Sequence, residues 1–167
     1  MVVDASILFP PEYPYTSSTT KNLRDNFKEL YSETSNLLKL KQDDLIIDIG
    51  SNDGNLLSNF KDHHRVLGIT PEEIGKLAID RGIPTIIDYF NENVVDQILD
   101  NYGKAKIITA TNVFAHMADL GKIVRSIEIL LNNNGHFVLE NHYLLDIIKD
   151  RQFDSIYHEH IACIMEI

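Results

Sequence analysis

Cysteine is nearly absent from this chain. Cys163 stands alone, so no internal disulfide can form and no thiolate zinc cage is available. No apolar run reaches the roughly eighteen residues that a membrane-spanning helix needs. Residues 1–15 hold no basic segment and no small-residue cleavage site, so no secretory signal is expected. Positive charge is scarce: 15 Lys+Arg stand against 25 Asp+Glu, a net charge of −10. A duplex-binding surface needs a stripe of Lys and Arg to displace counterions, and the basic residues here are scattered. Nucleic acid and membrane are therefore not expected as partners. An acidic field tolerates a cationic small molecule well. Together these absences predict a cytoplasmic protein with a small-molecule ligand.

What is present is globular. Hydrophobic residues make up 44% and charged residues 24%, which excludes disorder and collagen-like architecture. A length of 167 residues suits one domain, or one domain with an arm. Residues 1–22 carry Pro10, Pro11 and Pro14 and the polar run Thr16-Ser17-Ser18-Thr19-Thr20, which predict an extended arm. Tyr13 and Tyr15 either tack that arm onto the core or line a site. Residues 23–167 would then form the domain proper.

The periodicity alternates. Leu23, Phe27, Leu30, Tyr31, Leu37 and Leu38 predict a helix over 21–40, capped by Thr20. Residues 45–49, LIIDI, read as a strand buried on both faces. A helix beginning at 55–60 follows. Strands are predicted at 65–69, 84–87, 107–110 and 136–140. Helices are predicted from Pro71 through Arg81, over 91–102, over 120–131 and over 143–149, with a turn at 132–135. Such alternation implies a parallel sheet with helices on both faces and right-handed crossovers.

In open α/β sheets, ligands bind beyond the carboxyl ends of the strands, near the switch in strand order. The first strand runs into Asp48-Ile49-Gly50-Ser51-Asn52-Asp53-Gly54. Glycines there allow close backbone approach, and the N–H groups that follow are free to meet a ligand. The spacing is G-x-x-x-G, so the dinucleotide fingerprint is missing. Asp48 and Asp53 disfavour a pyrophosphate and favour an amino group or a sulfonium; S-adenosylmethionine carries both. A plain turn with capping polar residues is the other reading.

Three further strand ends supply candidates. Thr70 stands where an acid would ordinarily grip ribose hydroxyls, and Glu72 or Glu73 could replace it. Asp88 and Tyr89 could receive an adenine, or could be an ordinary polar strand end. Asn112, Val113 and His116 lie at the ligand edge of the sheet. Near the end of the chain, Tyr157-His158-Glu159-His160 is the densest titratable cluster. A metal reading lacks further ligands at a fixed spacing. Surface or core placement remains open, and so does acid–base work, because His titrates near neutral pH and a neighbouring Glu can orient it.

These strings, with Tyr13-Pro14-Tyr15-Thr16-Ser17-Ser18, Asn112-Val113-Phe114-Ala115-His116 and Gln152-Phe153-Asp154-Ser155-Ile156-Tyr157-His158-Glu159-His160, resemble the S-adenosylmethionine-dependent sugar C-methyltransferases of deoxysugar pathways. The resemblance implies a class I methyltransferase, Rossmann-like sheet and S-adenosylmethionine as methyl donor. It implies C-methylation of a nucleotide-linked keto-sugar, in which a base removes a proton beside the ketone and the enolate takes the methyl group. By position, His160 would be the general base, Glu159 would assist it, Tyr157 would stabilise the enolate oxygen, and Tyr15 would close over the site.

The chain departs from that pattern in four places. The family's cysteine-bearing N-terminal zinc module and its C-terminal domain have no counterpart in these residues. Its last strands would lie beyond Ile167. Cys163 stands where a tyrosine is expected, and Thr70 where an acid is expected. A stand-alone divergent enzyme, a truncated product, and a piece completed by a second copy or a partner chain all fit these departures. So do a methyltransferase for another small acceptor and a non-catalytic donor-binding or interaction module.

Overall fold

The computed structural model describes residues 5–152. Its elements are α1 (Ala5–Leu8), α2 (Lys21–Leu38), β1 (Leu45–Ile49), β2 (Arg65–Thr70), α3 (Gly75–Asp80), β3 (Thr85–Ile87), α4 (Glu92–Asn101), β4 (Ala105–Thr111), α5 (Leu120–Leu130), β5 (Leu131–Glu140) and α6 (Leu144–Lys149). The strands form one five-stranded sheet in the order β3-β2-β1-β4-β5. Every pairing is parallel. The winding reverses between β1 and β4, and that is the switch point. This α/β architecture is the one expected.

The lack of alternation in β1 has a simple cause. All five of its residues are buried, because both faces of the sheet are covered. Leu45, Ile47 and Ile49 pack with Val94, Ile98 and Ile127, which come from α4 and α5. Ile46 points the other way, into a cluster with Phe27 of α2, Phe60 and Ala78 of α3. Helices therefore cover both faces.

Several local expectations are corrected. Thr20 occupies the N-cap of α2 but makes no side-chain cap bond, and Leu37 is solvent-exposed rather than part of the apolar face. The helix after β1 shrinks to a single 3-10 turn, Leu57–Asn59. Ser58 Oγ and Asn59 Nδ2 both donate to the Asn55 carbonyl, so side chains take an acceptor that a continuing helix would use. The helix after Pro71 begins only at Gly75. The arm is not extended throughout. It holds α1, a turn closed by Tyr13 N–H on the Pro10 carbonyl at 2.9 Å, and a 3-10 turn at Ser17–Thr19. Pro11 presets the backbone of that first turn. Finally, the turn expected at 132–135 lies inside β5. Leu131 pairs with Ala105 and His136 with Ile107, so the intervening residues bulge out of register.

Candidate functional site

The carboxyl ends of the strands open into a cavity of about 910 Å³ at the switch point. Its floor is the loop after β1. Gly50 adopts φ +78°, and its N–H and that of Ser51 both donate to the Ile69 carbonyl, at 2.8 and 3.0 Å. A Cβ on Gly50 would stand 2.8 Å from a Val113 methyl. Glycine is thus required twice, once by the left-handed backbone and once by the close approach of Val113.

Asp48 is the penultimate residue of β1. It is 2% exposed, lines the cavity, and accepts a hydrogen bond from Thr109 Oγ1 at 2.6 Å. Burial pushes its carboxyl up to about 7, against the partial opposition of the Thr109 bond. The group therefore titrates near neutral pH and can meet a positive charge.

Two expected ligand residues sit elsewhere. Asp53 is fully buried and is not among the cavity's lining residues. Its Oδ1 accepts from Ser17 Oγ at 2.6 Å and its Oδ2 from Arg81 Nη1 at 3.0 Å. Burial alone would raise this carboxyl, but the bonds from Ser17, Ser18 and Arg81 and the guanidinium charge together hold it below the usual carboxylate range. Gly54, at φ +77°, also lies behind the floor, where a Cβ would strike Ala78 and Ile83 at 2.8 Å. It lets the turn pack against α3 and touches no ligand space.

Thr70 is a third correction. It is buried, does not line the cavity, and donates its hydroxyl to the Glu72 carboxylate. Glu72 itself lines the cavity at 8% exposure. Glu73 instead forms an ion pair with Lys76 at 3.0 Å. Glu72 is therefore the acid at the end of β2, two residues late in sequence but held in place by Thr70.

The remaining candidates converge. Asp88, Tyr89, Asn112, Val113 and His116 all line the same cavity, as do Ser51, Asn52 and Tyr15. Asp88 Oδ1 accepts from Tyr89 N–H at 2.7 Å. Asn112 adopts φ +56°, and its Nδ2 donates to Glu140 Oε1 at 2.7 Å, tying β4 to β5. The arm forms the opposite wall: Phe9 stacks edge-on against His116 with ring centroids 5.0 Å apart. Phe9, Leu23, Phe27 and Met117 also line the cavity and escaped the sequence reading. Their spacing marks them only as apolar, and just the tertiary fold turns them inward. Tyr157, Glu159 and His160 lie outside the described residues.

A parallel sheet with helices on both faces, a glycine floor at the switch point and acids at the ends of successive strands defines an α/β protein built to hold a small polar ligand at that edge. Residues 21–165 match the methyltransferase domain family, and the chain belongs to it. The fold is that of class I methyltransferases. The chain is 31% identical over 163 residues to C-methyltransferase NovU of Streptomyces niveus; the match covers 96% of this chain and 39% of that protein. It thus spans about two-fifths of that relative's length. Among solved structures it is similar to the plantazolicin methyltransferase BpumL in complex with SAH, with a TM-score of 0.65 at 17% identity, covering 93% of this chain and 63% of that one. It is also similar to YcgJ of Bacillus subtilis, with a TM-score of 0.63 at 17% identity, covering 83% of this chain and 63% of that one.

Proposed function

We propose that this domain binds S-adenosylmethionine in the switch-point cavity and methylates a carbon of a nucleotide-linked keto-sugar. The observation that carries the donor reading is the set of acids at three successive strand ends around one glycine floor. Asp48, Glu72 and Asp88 all line a single cavity. The closeness of Gly50 to Val113 leaves backbone, not side chain, facing the ligand.

Each end of the donor has a matching group. Asp48 receives the amino group or the sulfonium charge. Glu72 accepts from the ribose hydroxyls. Asp88 accepts from the adenine amino group, with Tyr89 packed on the ring. Gly50, Ser51, Asn112, Val113 and His116 shape the space between them. When bound, the donor supplies an electrophilic methyl group. The chain's own residues orient it, exclude water and move the proton.

The sugar half of the proposal is supported by the C-methyltransferase relative and by the Tyr157-His158-Glu159-His160 string. His160 takes the proton from the carbon beside the ketone, Glu159 orients His160, and Tyr157 donates to the developing enolate oxygen. Tyr15 closes the same space from the arm. Calorimetry with S-adenosylhomocysteine tests the donor site. Saturable binding is expected, and the absence of heat at millimolar ligand would overturn it. Deuterium uptake beside the ketone of a nucleotide-linked keto-sugar in D2O tests the base. Uptake is expected in the wild type and lost in His160→Asn. Methyl transfer without uptake would instead indicate an oxygen or nitrogen acceptor.

A further inference from the structure

We infer that Asn52 and Asp53 are positioning residues that latch the arm over the cavity and set Tyr15 in place, and are not ligands of the donor. The inference rests on the proposed function only for the identity of the ligand beneath the arm.

The Asn52 amide faces the arm. Its Oδ1 accepts from Ser17 N–H at 2.9 Å, and its Nδ2 donates to the Tyr15 carbonyl at 3.0 Å. These two bonds bracket one short stretch of arm, much as a neighbouring strand would. Asn52 reaches it from a left-handed backbone at φ +50°, a conformation that Asn tolerates better than most residues. Asp53 adds a third bond, from Ser17 Oγ at 2.6 Å, and is itself fixed by Arg81. That bond is charge-assisted and lies in a buried place, which makes it the strongest of the three.

The arm is held at two other points. Glu73 N–H donates to the Pro11 carbonyl at 2.8 Å, and Tyr89 Oη donates to the Phe9 carbonyl at 3.0 Å. The loops after β1, β2 and β3 therefore each grip the arm. Those same loops carry Gly50, Glu72 and Asp88. The arm spans the cavity from the β3 end to the β1 end, with Tyr13 and Tyr15 among its lining residues. Opening any one grip loosens the wall that the arm gives the cavity. Moving the glycine loop to fit a ligand also moves Tyr15, because Asn52 holds both.

Three variants test this. Asn52→Ala removes both amide bonds. Asn52→Asp keeps an acceptor for Ser17 N–H and loses the donor to Tyr15. Ser17→Ala removes only the bond to Asp53. Hydrogen exchange of the amides at residues 13–19 in ligand-free protein is expected to rise about tenfold in Asn52→Ala and less in the other two, in each case more than the amides of β1 rise in the same variant. The dissociation rate of S-adenosylhomocysteine is expected to rise in the same order. Equal exchange in wild type, Asn52→Ala and Ser17→Ala would overturn the latch. If Asn52→Ala does not fold, Ser17→Ala decides alone. If the wild type binds no S-adenosylhomocysteine, the donor reading fails, while the exchange measurement still tests the latch.

Discussion

Asp48 is a carboxylate almost wholly withdrawn from water at the cavity wall. Its carboxyl titrates at about 7 in the fold against 3.8 as a free side chain. Between those values the folded protein holds a proton that the unfolded chain has released. The contribution of Asp48 is therefore fully present below about pH 4 and is lost as pH rises through about 7. Asp48→Asn removes that loss. It should stabilise the protein at pH 8, by an amount on the order of a few kcal/mol, and change little at pH 4, as read by denaturant melts at both values. The same ionisation should favour a cationic ligand, so wild-type affinity for S-adenosylmethionine should rise between pH 6 and pH 8, and that rise should vanish in Asp48→Asn.

Asp53, five residues on, behaves in the opposite sense. Its lowered pKa means that its contribution is present at neutral pH and lost only in acid, as pH falls through the folded value. Glu72 is the third informative carboxylate. Glu72→Gln keeps the volume and an acceptor oxygen but loses the charge. It should weaken S-adenosylhomocysteine binding about ten- to hundredfold by calorimetry, in line with the roughly 1.5–3 kcal/mol of a hydrogen bond to a charged group. Gly50→Ala meets both a positive φ and the Val113 contact. It should lower stability by about 1–3 kcal/mol and impair donor binding, measured by melting and calorimetry.

At the scale of elements, the helices and strands that read clearly are those with strong patterning. β1 was legible because an unbroken LIIDI run suits a strand covered on both faces. α4 was legible as a helix over 91–102, and in the structure Asn91 stands just before it as its cap, with Oδ1 accepting from Val94 N–H at 3.0 Å. Asn91→Ala should lower stability by about 1 kcal/mol in a denaturant melt. The segments that misread are governed by competition the pattern does not encode. Residues 55–60 carry apolar spacing, yet Ser58 and Asn59 hold the backbone to one turn. The 132–135 segment has turn chemistry, yet the register on both sides is fixed by β4, so it becomes a bulge in a longer strand.

The glycine loop shows the same division. Its position and its glycines were visible, because a strand end with G-x-x-x-G admits few other conformations. Which of its polar residues face the ligand was not visible. Asp48 and Asp53 look equivalent in sequence, but one points into the cavity and the other into the arm and Arg81. The placement of Ser17 and Arg81, both distant in sequence, separates them.

For the whole molecule, β5 is an edge of the described sheet, since it pairs only with β4. Among the described residues this ten-residue strand has a neighbour on one side only. No helix among the described residues is long and apolar enough to cross a membrane.

The order of strands and helices, the glycine floor and the acidic character of the ligand edge were set by the sequence alone. Each depends on short-range chemistry: side-chain periodicity, backbone permissiveness and charge. The roles of Glu72, Asp53 and the arm were decided by tertiary structure. Each depends on which distant segment fills the space beside it. A carboxylate at a cavity wall is open to a ligand, and the same carboxylate beneath a serine and an arginine becomes a fastening.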